Sequence, residues 1–167
     1  MGDRMERYHI RRSDKALEDR AEMVRILKSQ KHATLALCAD DQPYLVTMNH
    51  GYDESEHCLY FHCAPTGKKV DLIRANPRVW GQVLEDGGYL DGECDHAYRT
   101  VQFEGRAEFV DDPGEKSRAL ALMIEQLESA PEPVKARNLV PEKIAGVCIL
   151  RVRLDEMTGK AGPKIES

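Results

Sequence analysis

The sequence predicts a mainly β protein with flanking helices, in which six strands form an antiparallel barrel. Short runs with the alternation typical of strands follow one another closely along the 167 residues. The few helical stretches between them do not alternate regularly with the strands, which argues against a doubly wound parallel sheet. Closing an antiparallel sheet removes its edges, and helices would then cover its ends and flank.

The first elements are predicted by local spacing and by turn residues. Leu17 and Leu27 belong to a helical pattern, and the turn at residues 40–43 joins two strands into a hairpin. In chain order we predict an arm at residues 1–13, a helix over 14–28, strands over Ala33–Cys38 and Tyr44–Asn49, and a strand over Cys58–Cys63.

The second half is predicted in the same way. A short helix over Lys68–Ala75 ends at Asn76, because Pro77 disfavours helix in the residue before it. There follow a strand over Val79–Leu84, a loop over 87–96, a strand over Tyr98–Val110, a helix over Lys116–Leu127, a linker at 130–133 leading to a short helix, and a strand over Val147–Leu154. Residues 14–157 are therefore expected to form one domain, followed by an irregular tail at 158–167.

Composition limits the class of protein. A chain with 41% hydrophobic and 32% charged residues is long enough to bury a core without disulfides or a metal. Its net charge of −5, with basic and acidic residues mixed, argues against general nucleic-acid binding. No apolar run approaches a membrane-spanning length and the start resembles no secretory signal, so we expect a cytoplasmic protein with no membrane partner.

The most informative segment leads from the strand at Cys58–Cys63 into the helix at Lys68–Ala75. The first turn of a helix has unpaired N–H groups and the positive end of the helix dipole, which together stabilise an anion such as phosphate. Thr66 adds a hydroxyl, Gly67 permits a sharp turn, and Lys68 and Lys69 add two charges. An ordinary capped surface helix with solvated lysines has the same local pattern, so both interpretations stay open here.

Three segments occur in a characteristic order: PYLVTMNHGY at residues 43–52, LYFHCAPTGKKVDLIRANPRV at 59–79 and YRTVQFEGRAEF at 98–109. Together they resemble the flavin-nucleotide-binding split-barrel superfamily that includes pyridoxamine 5′-phosphate oxidase. The closer resemblance is to its branch of 5-nitroimidazole resistance (Nim-like) proteins. The resemblance implies a homodimer of six-stranded antiparallel split β-barrels, with FMN in a groove at the subunit interface.

The resemblance also implies roles for particular residues. A basic pair at the start of the short helix would grip the FMN phosphate, although the first of the pair is an arginine in the oxidase and a lysine here. A point charge would thus replace a bidentate fork. The strand at 46–49 would run along the isoalloxazine ring, and residues 99–100 match an Arg-Gln pair near the flavin. The predicted cofactor residues are Val46, Thr47, Met48, Asn49, His62, Thr66, Gly67, Lys68, Lys69, Arg99 and Thr100.

His62 is the candidate catalytic residue. The Nim-like proteins have a histidine near the flavin at the matching place, and an imidazole could bind cofactor or substrate or transfer a proton near neutral pH. The alternative is a structural histidine on a barrel strand. Cys63 is no nucleophilic partner for it, because neighbouring strand residues point to opposite faces.

The remaining cysteines, histidines, aromatic residues and arginines are expected to have structural roles rather than catalytic ones. The five cysteines lack paired short spacings and are expected to be free thiols, with no zinc ribbon or disulfide framework. Residues 93–96, with His50 and His57, include metal-ligand types without a recognised spacing, so we predict no metal site. Trp80 and Tyr98 are expected in the core or at an interface, and Arg151 and Arg153 are expected to face solvent.

Two classes of function remain. The first is an FMN-dependent oxidoreductase that exchanges electrons between a small organic substrate and an electron donor, with nitroimidazole reduction as one candidate. Pyridoxamine phosphate oxidation is not expected, because the Arg/His motif at the oxidase's C-terminus is not found. The second is a flavin- or haem-binding carrier or sensor, in which His62, His50 or His96 could ligate haem and a deazaflavin could replace FMN. A colourless protein would favour a purely structural role.

Overall fold

The computed structural model describes residues 12–163. The strands are β1 (Ala16–Leu17), β2 (His32–Ala39), β3 (Gln42–Asn49), β4 (Gly51–Asp53), β5 (Cys58–Cys63), β6 (Arg78–Leu90), β7 (Asp95–Val110) and β8 (Cys148–Ala161). The helices are α1 (Arg20–Ser29), α2 (Lys68–Ala75), α3 (Pro113–Leu127), α4 (Pro131–Asn138) and α5 (Pro141–Gly146), with a 3₁₀ turn at Ser13–Lys15 before β1.

The strands form one antiparallel sheet in the order β3-β2-β6-β7-β8-β5-β4, and β1 pairs with the far end of β8. The prediction of a mainly β, antiparallel fold with flanking helices is therefore confirmed. The predicted count of six strands in a closed barrel is not: the sheet has eight strands, and within residues 12–163 its hydrogen-bonded order has two ends.

The two additional strands are short segments that the sequence does not mark. β4 is buried along its whole length and pairs with β5, although its residues resemble a turn. Gly51 is needed there because a Cβ atom would lie only 2.5 Å from Leu122 Cδ2 on α3. Close packing between α3 and the sheet thus fixes this strand.

The predicted helix over 14–28 begins later than expected, at Arg20. Asp19 caps it by accepting a hydrogen bond from the Ala21 N–H at 2.9 Å, which defines the first turn. Ala16 and Leu17 pair instead with Lys160 and Gly159 of β8. Residues 1–11 of the predicted arm lie outside the described residues.

The structure confirms the predicted β2–β3 hairpin and shows a second hairpin, β6–β7, where a loop is predicted. Asp40 and Asp41 have φ angles of 50° and 57°, the two-residue turn that suits the twist of a hairpin, and they confirm the β2–β3 pair. The predicted loop over 87–96 is largely strand, since β6 and β7 continue their pairing to Leu90 and Asp95 around a bulge at 86–88.

The predicted irregular tail is wrong for residues 158–161. β8 extends to Ala161 because the long β7 offers backbone partners to Thr158 and Gly159 as well. Residues 164–167 lie outside the described part. The predicted linker at 130–133 is likewise wrong for residues 131–133, which form the first turn of α4.

Two hydrophobic cores lie on opposite faces of β5. Leu59 and Phe61 belong to the larger core, which α1 closes with Ile26 and Leu27. The next residues in the alternation, Cys58 and Tyr60, belong to a smaller core beneath α3, which includes Ala119, Met123 and Ile149. None of the helices within residues 12–163 has the length and apolar character needed to cross a membrane.

Candidate functional site

Helix α2 is held firmly against the sheet, which fixes the position of its first turn. Val70 and Ile73 are buried beneath it. At its other end, the Asn76 side chain donates to the Cys38 carbonyl of β2 at 2.8 Å and accepts from the Arg78 N–H at 3.1 Å. The helix is therefore anchored at its middle and at its end, and its first turn is presented to the surface.

The first turn of α2 has the form of an anion site. Gly67 has a φ of 123°, a conformation that favours glycine, and its carbonyl accepts from Val70 N at 2.9 Å and Asp71 N at 3.1 Å. No described side chain caps the helix, so the backbone N–H groups of Lys68 and Lys69 remain unpaired donors at the helix start. A Cβ at Gly67 would meet nothing within 4 Å, so the approach is open.

The two lysines at this turn extend to different sides. Lys68 Nζ lies 4.7 Å from the centre of the Tyr44 ring on β3, a cation–π contact. The Lys69 charge acts on the Cys63 thiol at the end of β5 and lowers its pKa against the larger effect of burial. Neither ammonium forms an ion pair with a carboxylate of residues 12–163. Two uncompensated charges therefore flank an open, exposed loop that includes Thr66, and this set of donors fits a phosphate.

Strand β3 meets α2 through the Tyr44 ring, and its predicted cofactor residues have side-chain contacts of their own within the chain. Val46 and Met48 pack against the larger core, so their side chains point inward. Thr47 and Asn49 point outward, but Thr47 Oγ1 lies 2.8 Å from Thr34 Oγ1, and Asn49 Nδ2 donates to the Lys31 carbonyl at 3.2 Å. Because β3 ends the strand order, its outer backbone groups have no strand partner among the described residues. They are available to a ligand.

A cavity of about 650 Å³ lies beside the loop that leads into α2. His62 faces it from the end of β5, and no residue among 12–163 hydrogen-bonds to its imidazole. Helices α4 and α5 cover the cavity although neither buries a side chain, and the Lys143 ammonium joins them by donating to the Arg137 carbonyl at 2.7 Å. The apolar side chains of the wall are Leu120, Met123, Ile124, Leu127, Val134 and Val147.

A protein-family model described as pyridoxamine 5′-phosphate oxidase matches residues 19–161. The chain belongs to this family. The prediction made from the three sequence segments is thereby confirmed. An uncharacterised protein of Rhizobium meliloti (strain 1021) is 34% identical over 138 residues, which cover 77% of this chain and 83% of that one.

Solved structures share the fold of this family member. A candidate 5-nitroimidazole antibiotic resistance protein from Bacteroides thetaiotaomicron superposes with a TM-score of 0.71 at 23% identity, covering 87% of this chain and 86% of that chain. The FAD and haem binding protein from Mycobacterium smegmatis superposes with a TM-score of 0.74 at 17% identity, covering 92% and 76%.

Two predicted cofactor residues of this family member have other partners within the chain. Arg99 Nη1 lies 3.0 Å from Glu85 Oε2, and its Nε lies 3.5 Å from Glu22 Oε1. Arg25 completes the network, and its hydrogen bonds lower the pKa of both carboxyl groups. Thr100 is buried and donates to the Val83 carbonyl at 3.1 Å. Both side chains thus hold α1, β6 and β7 together.

The predictions for the arginines of β8 had different outcomes. Arg153 is exposed, as expected. Arg151 does not face solvent: its guanidinium lies 2.7 Å from Glu108 and 2.6 Å from Glu115, which also accepts from the Tyr60 hydroxyl at 3.0 Å. The first turn of α3 supplies this partner through Glu115, and sequence spacing gives no sign of the contact.

Three other histidines, His50, His57 and His96, are engaged in structural contacts. His50 donates from Nε2 to the Leu27 carbonyl at 2.8 Å, His57 Nδ1 lies 2.8 Å from the Tyr52 hydroxyl, and His96 Nε2 lies 2.6 Å from Asp86 Oδ1. Across residues 12–163, no three His, Cys, Asp or Glu side chains converge in the manner of a metal site. Of the predicted site residues, the fold brings His62, Thr66, Gly67, Lys68 and Lys69 into one region.

Proposed function

We propose that this protein is a flavin-nucleotide-binding oxidoreductase that holds the phosphate of FMN at the start of α2. The observation that carries the proposal is the open first turn of α2, with Gly67 in the left-handed region and two lysines, Lys68 and Lys69, that form no ion pair with a carboxylate of residues 12–163. Membership of the pyridoxamine 5′-phosphate oxidase family supports it. So does the structural likeness to proteins whose names state that they bind FAD.

The residues of the chain would divide the work of binding. Lys68 and Lys69 neutralise the phosphate, and helix N–H groups donate to its oxygens. The unpaired backbone edge of β3 offers donors to the polar edge of the ring, while Val46 and Met48 keep the strand seated on the core. A bound flavin supplies the electron transfer chemistry, and the protein supplies binding, orientation and electrostatics.

The cavity beside α2 is the proposed substrate site. About 650 Å³ is enough for a small organic molecule, and most of the wall is apolar. No described residue hydrogen-bonds to the His62 imidazole. The ring would orient the substrate through a hydrogen bond and hold or deliver a proton at Nδ1 or Nε2. A nitroheterocycle is one candidate, since it combines a flat ring with hydrogen-bond acceptors. A small-molecule electron donor completes the proposed reaction.

We also propose that the protein works as a homodimer. The exposed fractions of Leu45, Trp80 and Leu84 are 68%, 51% and 43%. Leu45 and Trp80 both pair with Ala36 of β2, so they form one apolar row across the outer face of the sheet. A contiguous apolar row of this kind marks an interaction surface, and a second copy of the chain is the occupant that the family resemblance implies.

The phosphate site is tested by the double variant Lys68→Ala plus Lys69→Ala. The protein is purified, its cofactor is released by heat, and the amount and mass of that cofactor are measured. Charge-assisted hydrogen bonds contribute about 1.5–3 kcal/mol each, so FMN occupancy should fall at least about tenfold. A matched control, Lys28→Ala plus Arg153→Ala, removes two exposed charges far from α2 in the sequence and should keep its cofactor. Unchanged occupancy in the test variant would refute the site.

Haem binding is a second candidate function, and the free imidazole of His62 in an apolar cavity favours it. His50 and His96 are less suited to ligate iron because their ring nitrogens already have partners. The visible spectrum of the purified protein separates the candidates: two flavin bands support the oxidoreductase, and a Soret band supports haem. His62→Ala should abolish a Soret band and leave flavin bands in place. A colourless protein would contradict both candidates.

A further inference from the structure

Two cysteines face each other at one end of the β5–β8 pair. Cys63 is the last residue of β5, Cys148 is the first of β8, and the two are direct partners in the antiparallel register. Directly opposed residues share one face of a sheet with Cβ atoms about 4.5–5.5 Å apart. A disulfide needs about 3.5–4.5 Å between Cβ atoms, so a small movement of two strand ends would allow the bond.

The surroundings of this pair differ from those of the other cysteines. Cys58 is fully buried in the smaller core, and Cys38 and Cys94 are exposed on the surface. Cys63 and Cys148 are half-buried, so small reagents can reach them. Burial raises the pKa of the Cys63 thiol to about 11, and the neighbouring Cys148 thiol raises it as well.

We propose that Cys63 and Cys148 form a reversible thiol–disulfide pair that responds to hydroperoxides. In the first step one thiolate attacks the O–O bond of hydrogen peroxide, forming a sulfenic acid and releasing one water once a proton is taken up. In the second step the other sulfur attacks the sulfenic sulfur, the S–S bond forms, and the hydroxyl leaves as a second water. Two thiols are oxidised by two electrons, and one peroxide is reduced to two waters.

The Cys63–Cys148 pair lies next to the loop that leads into α2 and next to the cavity. Cys63 is directly followed by the loop 64–67, and it lines the cavity beside His62, as Val147 next to Cys148 also does. The disulfide would tie the beginning of that loop to β8, where the reduced protein has only the hydrogen bonds of the strand pair. The proposal concerns the thiols alone and stands whether or not a cofactor binds at α2.

Oxidation of the reduced, full-length protein tests the proposal. The protein is treated with hydrogen peroxide at pH 7 and at pH 9, its remaining thiols are alkylated, and its peptides are mapped by mass spectrometry. We expect a peptide pair cross-linked through Cys63 and Cys148 that disappears with dithiothreitol. Because the thiolate is the attacking form, the cross-link should form many times faster at pH 9 than at pH 7.

Variants distinguish this pair from other thiol chemistry. Cys63→Ser and Cys148→Ser should each abolish the cross-link, while the control Cys38→Ser plus Cys94→Ser should retain it. The oxidised wild type should also melt at a higher temperature than the reduced form, since the cross-link joins residues far apart in the sequence. Cross-links formed only between molecules, absence of a cross-link at both pH values, or a Cys148 that stays fully alkylatable would overturn the proposal.

Discussion

At the scale of single residues, His50 is the most constrained polar group in the fold. Its side chain is fully buried, and Nε2 donates to the Leu27 carbonyl at 2.8 Å. Its Nδ1 is buried without a hydrogen-bond partner in the described chain. A proton on Nδ1 would therefore have no acceptor, and burial lowers the pKa of His50. Burial therefore favours the neutral imidazole over the charged one in the folded protein.

The stability of the protein should consequently depend on pH below about 6.5, the ordinary pKa of histidine. As pH falls from there, the unfolded chain takes up a proton at His50 that the folded chain refuses, so the free energy of unfolding falls by up to about 1.4 kcal/mol per pH unit. Urea unfolding at pH 7.5 and pH 5 measures this loss. His50→Gln should show a smaller loss than the wild type, and the control His62→Gln should match the wild type. Equal losses for all three would contradict this account.

At the scale of elements, one glutamine joins two helices and a strand. Gln126 of α3 accepts from the Tyr52 N–H of β4 at 2.9 Å through Oε1. Through Nε2 it donates to the carbonyls of Leu27 and Gln30 at the end of α1, at 3.0 and 3.2 Å. One side chain thus bonds three backbone groups between elements, one of which, the Leu27 carbonyl, also accepts from His50.

Replacement of Gln126 by leucine should destabilise the protein by at least about 1–3 kcal/mol, the cost of leaving one buried backbone group unpaired. Chemical denaturation at pH 7.5 provides the measurement. The neighbouring Glu125→Gln, which removes only an ion pair with Lys135 that is exposed on the glutamate side, should change the free energy of unfolding by less than about 1 kcal/mol. Similar losses in the two variants would show that the three hydrogen bonds contribute little.

Elements were predictable from sequence where their causes are local. The hairpin at Asp40–Asp41, the strand β5 and the helix α2 follow from alternation, turn residues and Pro77, and the loop before α2 then places the proposed anion site. The pairing of Ala16–Leu17 with β8 has no local cause, because it depends on chain that lies more than a hundred residues away. The partners of His50 and Gln126 also lie outside the local sequence, and Glu85 faces Arg99 just beyond the predicted end of its strand, so these contacts were not predicted.

At the scale of the whole molecule, the apolar row of Leu45 and Trp80 predicts the state of assembly. Light scattering should find wild-type dimers, and Leu45→Glu plus Trp80→Glu should raise the dimer dissociation constant at least about tenfold, since buried interface aromatics often contribute about 2 kcal/mol or more. The control Ala136→Glu places a charge at an exposed position of α4 and should leave the dimer intact, as measured by the molar mass in solution. A monomeric wild type would contradict the assembly.

The cover of the cavity has a consequence for how molecules enter and leave. Helices α4 and α5 bury none of their side chains, and they are held by surface contacts such as those of Lys135 and Lys143. Segments with so little buried apolar surface separate from a fold at low free energy. For the substrate proposed above, entry and exit would need only local opening of residues 131–146, and their rates would not depend on unfolding of the sheet.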